Sequence, residues 1–202
     1  MPNAHAFGEL NKEYGVCGFT STLYALYATR PSLRSHIQSA QEHAETRLMA
    51  EIKTFLVMMK AQGKQSILDD IQTLTTSFNG YQAWTIDNFI TAINRTARAK
   101  GVTSPRTNLS IAMPPSALVE YLNTCWDFNA RVETSLTAEA RNCILGLTRT
   151  GGPRNRFKNL AHYVYVKPSG QIQSWGSNFT SLADVNKKTN RNYSLIYRVS
   201  LG

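Results

Sequence analysis

The hydrophobic pattern of this chain changes period part-way along, and that change most constrains its fold. Up to about residue 125 the apolar residues recur at helical spacing. Phe19, Leu23, Leu26 and Tyr27 predict a helix of about three turns that begins at or just after Cys17 and stops at Pro31. Ile37, Ala40, Ala44, Leu48, Ile52, Phe55, Leu56 and Met59 trace one stripe over 32–62, with Gly63 as its C-cap. Further helices are predicted over 66–77, from Thr85 to about Lys100, and over 115–125; Pro105, Pro114 and Pro115 mark 102–114 as loop. Residues 1–16 read as a polar lead-in.

From residue 142 the text alternates or runs apolar over short stretches. NCILGLT (142–148), HYVYVK (162–167), QIQSWG after the Pro168-Ser169-Gly170 turn, and YSLIYRVS (193–200) read as strands in meander order. Helices first and strands afterwards predict an α+β fold. At 202 residues, one domain over 1–202 is expected, with a mainly helical part (1–130) and an antiparallel β part (131–202).

Composition excludes several classes. No run of about 18 apolar residues occurs, so no membrane span is expected. The N-terminus lacks a basic segment followed by an apolar run. The chain is therefore expected to be cytoplasmic as synthesised, with any export by a route that needs no signal peptide. Three widely spaced cysteines (Cys17, Cys125, Cys143) and four scattered histidines give neither a disulfide framework nor metal-ligand spacing, so no metal or cofactor is expected. The net charge of +9 is uneven: from Arg149 onward nine basic residues face one acid, Asp184. Such a surface suits an acidic protein or peptide partner. Nucleic acid is disfavoured, because aromatic residues do not interleave with the basic ones.

One constellation carries chemistry. A thiol at a helix start, Cys17, meets partial positive charge and free backbone N–H groups, which favour the thiolate. Gly18 follows it and keeps the sulfur uncrowded, while the N–H of Cys17 or Gly18 can face a developing oxyanion. Gly15 lets the chain turn into the helix. His162 opens a predicted strand and can take the thiol proton. Across the next hairpin Gln173 can accept the second ring N–H, and Trp175 can cover that bond from water. Asp184 and Asn178 are alternative orienting residues.

The order of these residues resembles the papain-like cysteine peptidases, in which an Asn-Ser-Trp-Gly run follows the His. Gln173-Ser174-Trp175-Gly176 matches three of those four residues. The family's oxyanion-hole Gln, six residues before the Cys, corresponds to Asn11. The hairpin HYVYVKPSGQIQ also resembles NlpC-type cell-wall amidases, bacterial effector proteases and glutamine deamidases on the same fold. The resemblance implies a papain-like thiol hydrolase acting on an amide, whether peptide bond, peptidoglycan amide or glutamine side chain, in the manner of a bacterial effector or toxin. The alternative is a papain-like module without catalysis that binds an acidic partner protein.

Overall fold

The computed structural model describes residues 4–98, 110–133, 135–136 and 140–202. The helices are α1 (His5–Tyr14), α2 (Cys17–Thr29), α3 (Arg34–Ala40), α4 (Ala44–Ala61), α5 (Gln65–Thr76), α6 (Ile86–Arg98), α7 (Pro115–Trp126) and α8 (Leu182–Thr189). The strands are β1 (Arg131–Val132), β2 (Cys143–Arg149), β3 (His162–Val166), β4 (Ile172–Ser174), β5 (Ser177–Phe179) and β6 (Tyr193–Ser200). The fold is α+β, as the change of period predicts. All strand pairs are antiparallel.

Local chemistry places most of these elements. Gly63 takes φ 67°, and the Lys64 N–H reaches the Met59 carbonyl at 2.9 Å, so α4 ends in a left-handed cap. Thr85 caps α6 by accepting the Asn88 N–H at 3.1 Å. Part of the loop expected over 102–114 lies outside the described residues; 110–114 is non-helical.

Three expectations are corrected. The lead-in is a helix, α1, whose inner face buries Ala4, Phe7 and Asn11. The segment 32–62 is broken by a 3₁₀ turn at Gln41–His43, where the Gln41 side chain instead accepts the Ala6 N–H of α1 at 3.0 Å. The sheet is not a simple meander: its order is β1-β6-β2-β3-β4-β5. Strand β6 inserts between β1 and β2 and pairs with both, while β2 to β5 do follow one another.

Each sheet face has its own core. On one face Tyr163 and Tyr165 pack against α2 and the helical layer, where the rings of Phe19, Phe55 and Tyr121 meet edge to face at 4.8–6.2 Å. On the other face Leu145, Leu147, Val164, Val166 and Ile172 pack against Phe179 and Val185 of α8. Strand alternation divides the functional side chains between these faces. His162 pairs with Leu147 and shares its face, whereas Gln173 pairs with Tyr165 and shares the opposite one.

Candidate active site

The local chain builds the position of Cys17. Gly15 adopts φ 62° at the end of α1, so two residues suffice to reverse the backbone before α2 begins at Cys17. No side chain caps that N-terminus, which leaves its first N–H groups for other partners. Gly18 is buried for a reason beyond access to sulfur: a Cβ there would lie 2.8 Å from Met113 Sδ. The Cys17 side chain is half-buried. Backbone N–H groups of Tyr163, Cys17 and Gly18 hydrogen-bond to its thiol. Tyr163 is the neighbour of His162 in β3.

The imidazole is held on three sides. His162 Nε2 shares a 2.8 Å hydrogen bond with Ser174 Oγ. The Trp175 ring stacks flat on it at 4.0 Å, and the Tyr193 ring stands 5.8 Å away. Trp175 and Gly176 both have positive φ, 46° and 72°, and join β4 to β5 between the paired Ser174 and Ser177. Asparagine or glycine is the usual occupant of the first position in such a turn. A tryptophan there accepts a strained backbone, and its ring covers His162. The turn is clamped from outside the sheet: the Gly176 N–H donates to Tyr24 Oη at 2.9 Å, and His5 Nδ1 donates to the Gly176 carbonyl at 2.6 Å. Tyr24 belongs to α2 and His5 to α1.

The structure sorts the other sequence candidates. Gln173 is buried but lies on the face opposite Ser174, and its amide makes no hydrogen bond to His162. Asp184 accepts the Thr180 N–H and Lys188 Nζ, each at 3.0 Å, while its own N–H donates to Ser181 Oγ at 3.1 Å. It is half of the capping box of α8 rather than a partner of the imidazole. Asn178 accepts from Lys167 Nζ at 3.0 Å. Asn11 is buried on the face of α1 that carries Gly8, and neither atom of its side-chain amide has a hydrogen-bond partner. A Cβ at Gly8 would fall 2.4 Å from Gly176 N, so that face lies directly against the Trp175 turn. Sequence reasoning missed Ser174 as the group bonded to the imidazole. Alternation was the available signal, since Gln173 and Ser174 cannot both share a face with His162.

The N–H groups at the helix start do favour the thiolate, but burial acts against them and is the larger effect. Burial pushes the Cys17 thiol up to about 11, outweighing the hydrogen bonds from Tyr163, Cys17 and Gly18. Burial, and secondarily the Arg191 guanidinium, pushes His162 down to about 3. Near neutral pH both groups are therefore uncharged, and no hydrogen bond joins them among the described residues. A cavity of about 800 Å³ opens on the His162 face, lined by Arg149, Trp175, Phe179, Lys188, Arg191 and Tyr193 among others. Among the described residues no group of three or more His, Cys, Asp or Glu side chains is placed to hold a metal ion. No helix among them is long and apolar enough to cross a membrane. The chain matches no protein-family model, no curated protein and no solved structure significantly, so the geometry of Cys17, His162, Ser174 and Trp175 is what any functional reading rests on.

Proposed function

We propose that the chain is a thiol-dependent amide hydrolase on a papain-like plan, with Cys17 as nucleophile and His162 as base. One juxtaposition carries the reading. The thiol at the N-terminus of α2 is bonded by the N–H of Tyr163, the residue next to His162, while Ser174 and Trp175 hold the imidazole.

The chemistry starts from a neutral pair. With the Nε2 proton donated to Ser174 Oγ, Nδ1 keeps the lone pair that a general base needs. As sulfur attacks the amide carbon, its proton passes to His162. The carbonyl oxygen becomes an oxyanion, stabilised by backbone N–H groups at the start of α2 and by the amide of Asn11. The imidazolium then gives its proton to the leaving nitrogen, and amine or ammonia departs from a thioester. Water, deprotonated by His162, attacks the thioester and restores the thiol with release of an acid. Peptidase, peptidoglycan amidase and glutamine deamidase all follow this scheme, and an acidic protein partner of the kind an effector targets fits the basic C-terminal part.

The test is turnover of glutamine-containing peptides and peptidoglycan fragments, read by mass for cleavage or amide-to-acid conversion. Wild type is compared with Cys17→Ala and His162→Ala, each checked for folding by circular dichroism. Loss of turnover in both variants is the expected result; undiminished turnover in Cys17→Ala removes the proposal.

A second reading is favoured by the neutral, unbonded pair: a papain-like module without catalysis that binds an acidic partner. No thioester then accumulates on Cys17 when any of these substrates is quenched in acid and weighed.

A further inference from the structure

The cavity beside His162 has a chemistry that the hydrolytic scheme leaves unused. Arg149, Lys188 and Arg191 bring three cations to its wall, with Trp175, Phe179 and Tyr193 as aromatic surface. Arg149 and Tyr193 are cross-strand partners, so both project from the sheet face that carries His162. Among the described residues no carboxylate pairs with Arg149 or Arg191. Asp184, the acid on α8, is already committed to Lys188 and the Thr180 N–H. A second cavity of about 850 Å³ shares Arg149, Thr189 and Arg191 with the first and adds Lys187, so two basic hollows adjoin at these residues to make a basic groove on this surface.

We propose that this groove is the subsite for acidic side chains of a protein substrate, seating an Asp- or Glu-rich segment on Arg149 and Arg191 beside the reactive amide. Guanidinium groups offer forked donors that match carboxylates, and the aromatic walls take the aliphatic parts of an extended peptide. Seating a carboxylate there has a chemical consequence. It offsets the Arg191 charge that disfavours the imidazolium, so an acidic substrate makes His162 a stronger base on arrival. The groups lining the cavity with His162 are Arg149 of β2, Lys188 of α8, Arg191 in the turn before β6, and Tyr193 of β6. The proposal rests on the hydrolase reading for the reactive amide and for the role given to His162; binding of an acidic peptide to the groove does not.

Calorimetric titration tests it with a hexaglutamate peptide, its hexaglutamine counterpart and a single-stranded oligonucleotide of similar charge, at low and at physiological salt. The protein is used as wild type, Arg149→Gln, Arg191→Gln and, as a charge-matched change in the helical part, Lys64→Gln. Hexaglutamate should bind about tenfold more tightly than hexaglutamine, and each arginine variant should weaken it by about threefold to tenfold, with Lys64→Gln unchanged. Equal binding of the two peptides overturns the proposal. So do arginine variants with unaltered affinity, or preference for the oligonucleotide over hexaglutamate. Cys17→Ala, titrated in parallel, separates the two claims: it leaves peptide affinity intact whether or not hydrolysis is lost, so failure of the groove and failure of the nucleophile give different results.

Discussion

Protonating His162 should destabilise this protein, and the effect can be sized. His162 is only 5 % exposed. Burial, with a smaller push from Arg191, lowers its pKa from 6.5 to about 3. The unfolded chain takes up the proton below pH 6.5, whereas the folded one resists it until about pH 3. Folding stability is therefore full above pH 6.5, falls as pH drops through that window, and levels off below it. Across the whole shift the loss approaches about 5 kcal/mol, at about 1.4 kcal/mol per pH unit. Between pH 7 and pH 5 it is about 2 kcal/mol, a large share of the stability of an ordinary domain. The assay is urea unfolding at pH 7, 6 and 5 for wild type and His162→Gln, which keeps an N–H donor for Ser174 but cannot titrate. Wild type should lose about 2 kcal/mol over that span, and the variant should lose far less, whatever its starting stability. A flat wild-type profile, or an equal slope in the variant, refutes the account of a buried neutral imidazole.

Three other measurements bear on the site. Cys17 should react with iodoacetamide about a hundredfold more slowly at pH 7 than the same cysteine in the unfolded chain, and its rate should keep rising up to about pH 11; fast labelling at pH 7 would show that the thiol is not desolvated. Ser174→Ala should lower turnover by one to two powers of ten (roughly the cost of losing an orienting group) and Gln173→Ala by much less, because of the two only Ser174 is hydrogen-bonded to the imidazole; the reverse order would return the orienting role to Gln173. Gly8→Ala should destabilise the fold by about 2 kcal/mol or more in thermal unfolding, since its methyl would collide with Gly176 backbone atoms and with Tyr24 Oη; unchanged stability would mean that α1 does not sit tightly on the turn.

The amino-acid sequence made the fold class, most helices and the principal strands legible, because long amphipathic stretches and valine- and tyrosine-rich alternation are strong signals. It hid α1, since the buried face of that helix carries Gly8 and Asn11, small or polar where they meet the Trp175 turn. It hid α8 as well, although Ser181 and Asp184 spell a capping box; reading Asp184 as chemistry obscured its use as a cap. Cys17 and His162 stood out by type and order. Their protonation states did not, because desolvation depends on packing that no local pattern records. Ser174 was masked by its neighbour: one position along a strand decides which face a side chain serves.

The placement of β6 inside the sheet has a consequence for biosynthesis. Every other described strand leaves the ribosome before it, yet β6 joins β1 to β2, and Tyr193 at its start stands against His162. A nascent chain halted short of Tyr193 presents β2 as an unpaired edge, open to association with other chains. The cavity beside His162, which Tyr193 lines, is thus completed only once translation has reached this strand.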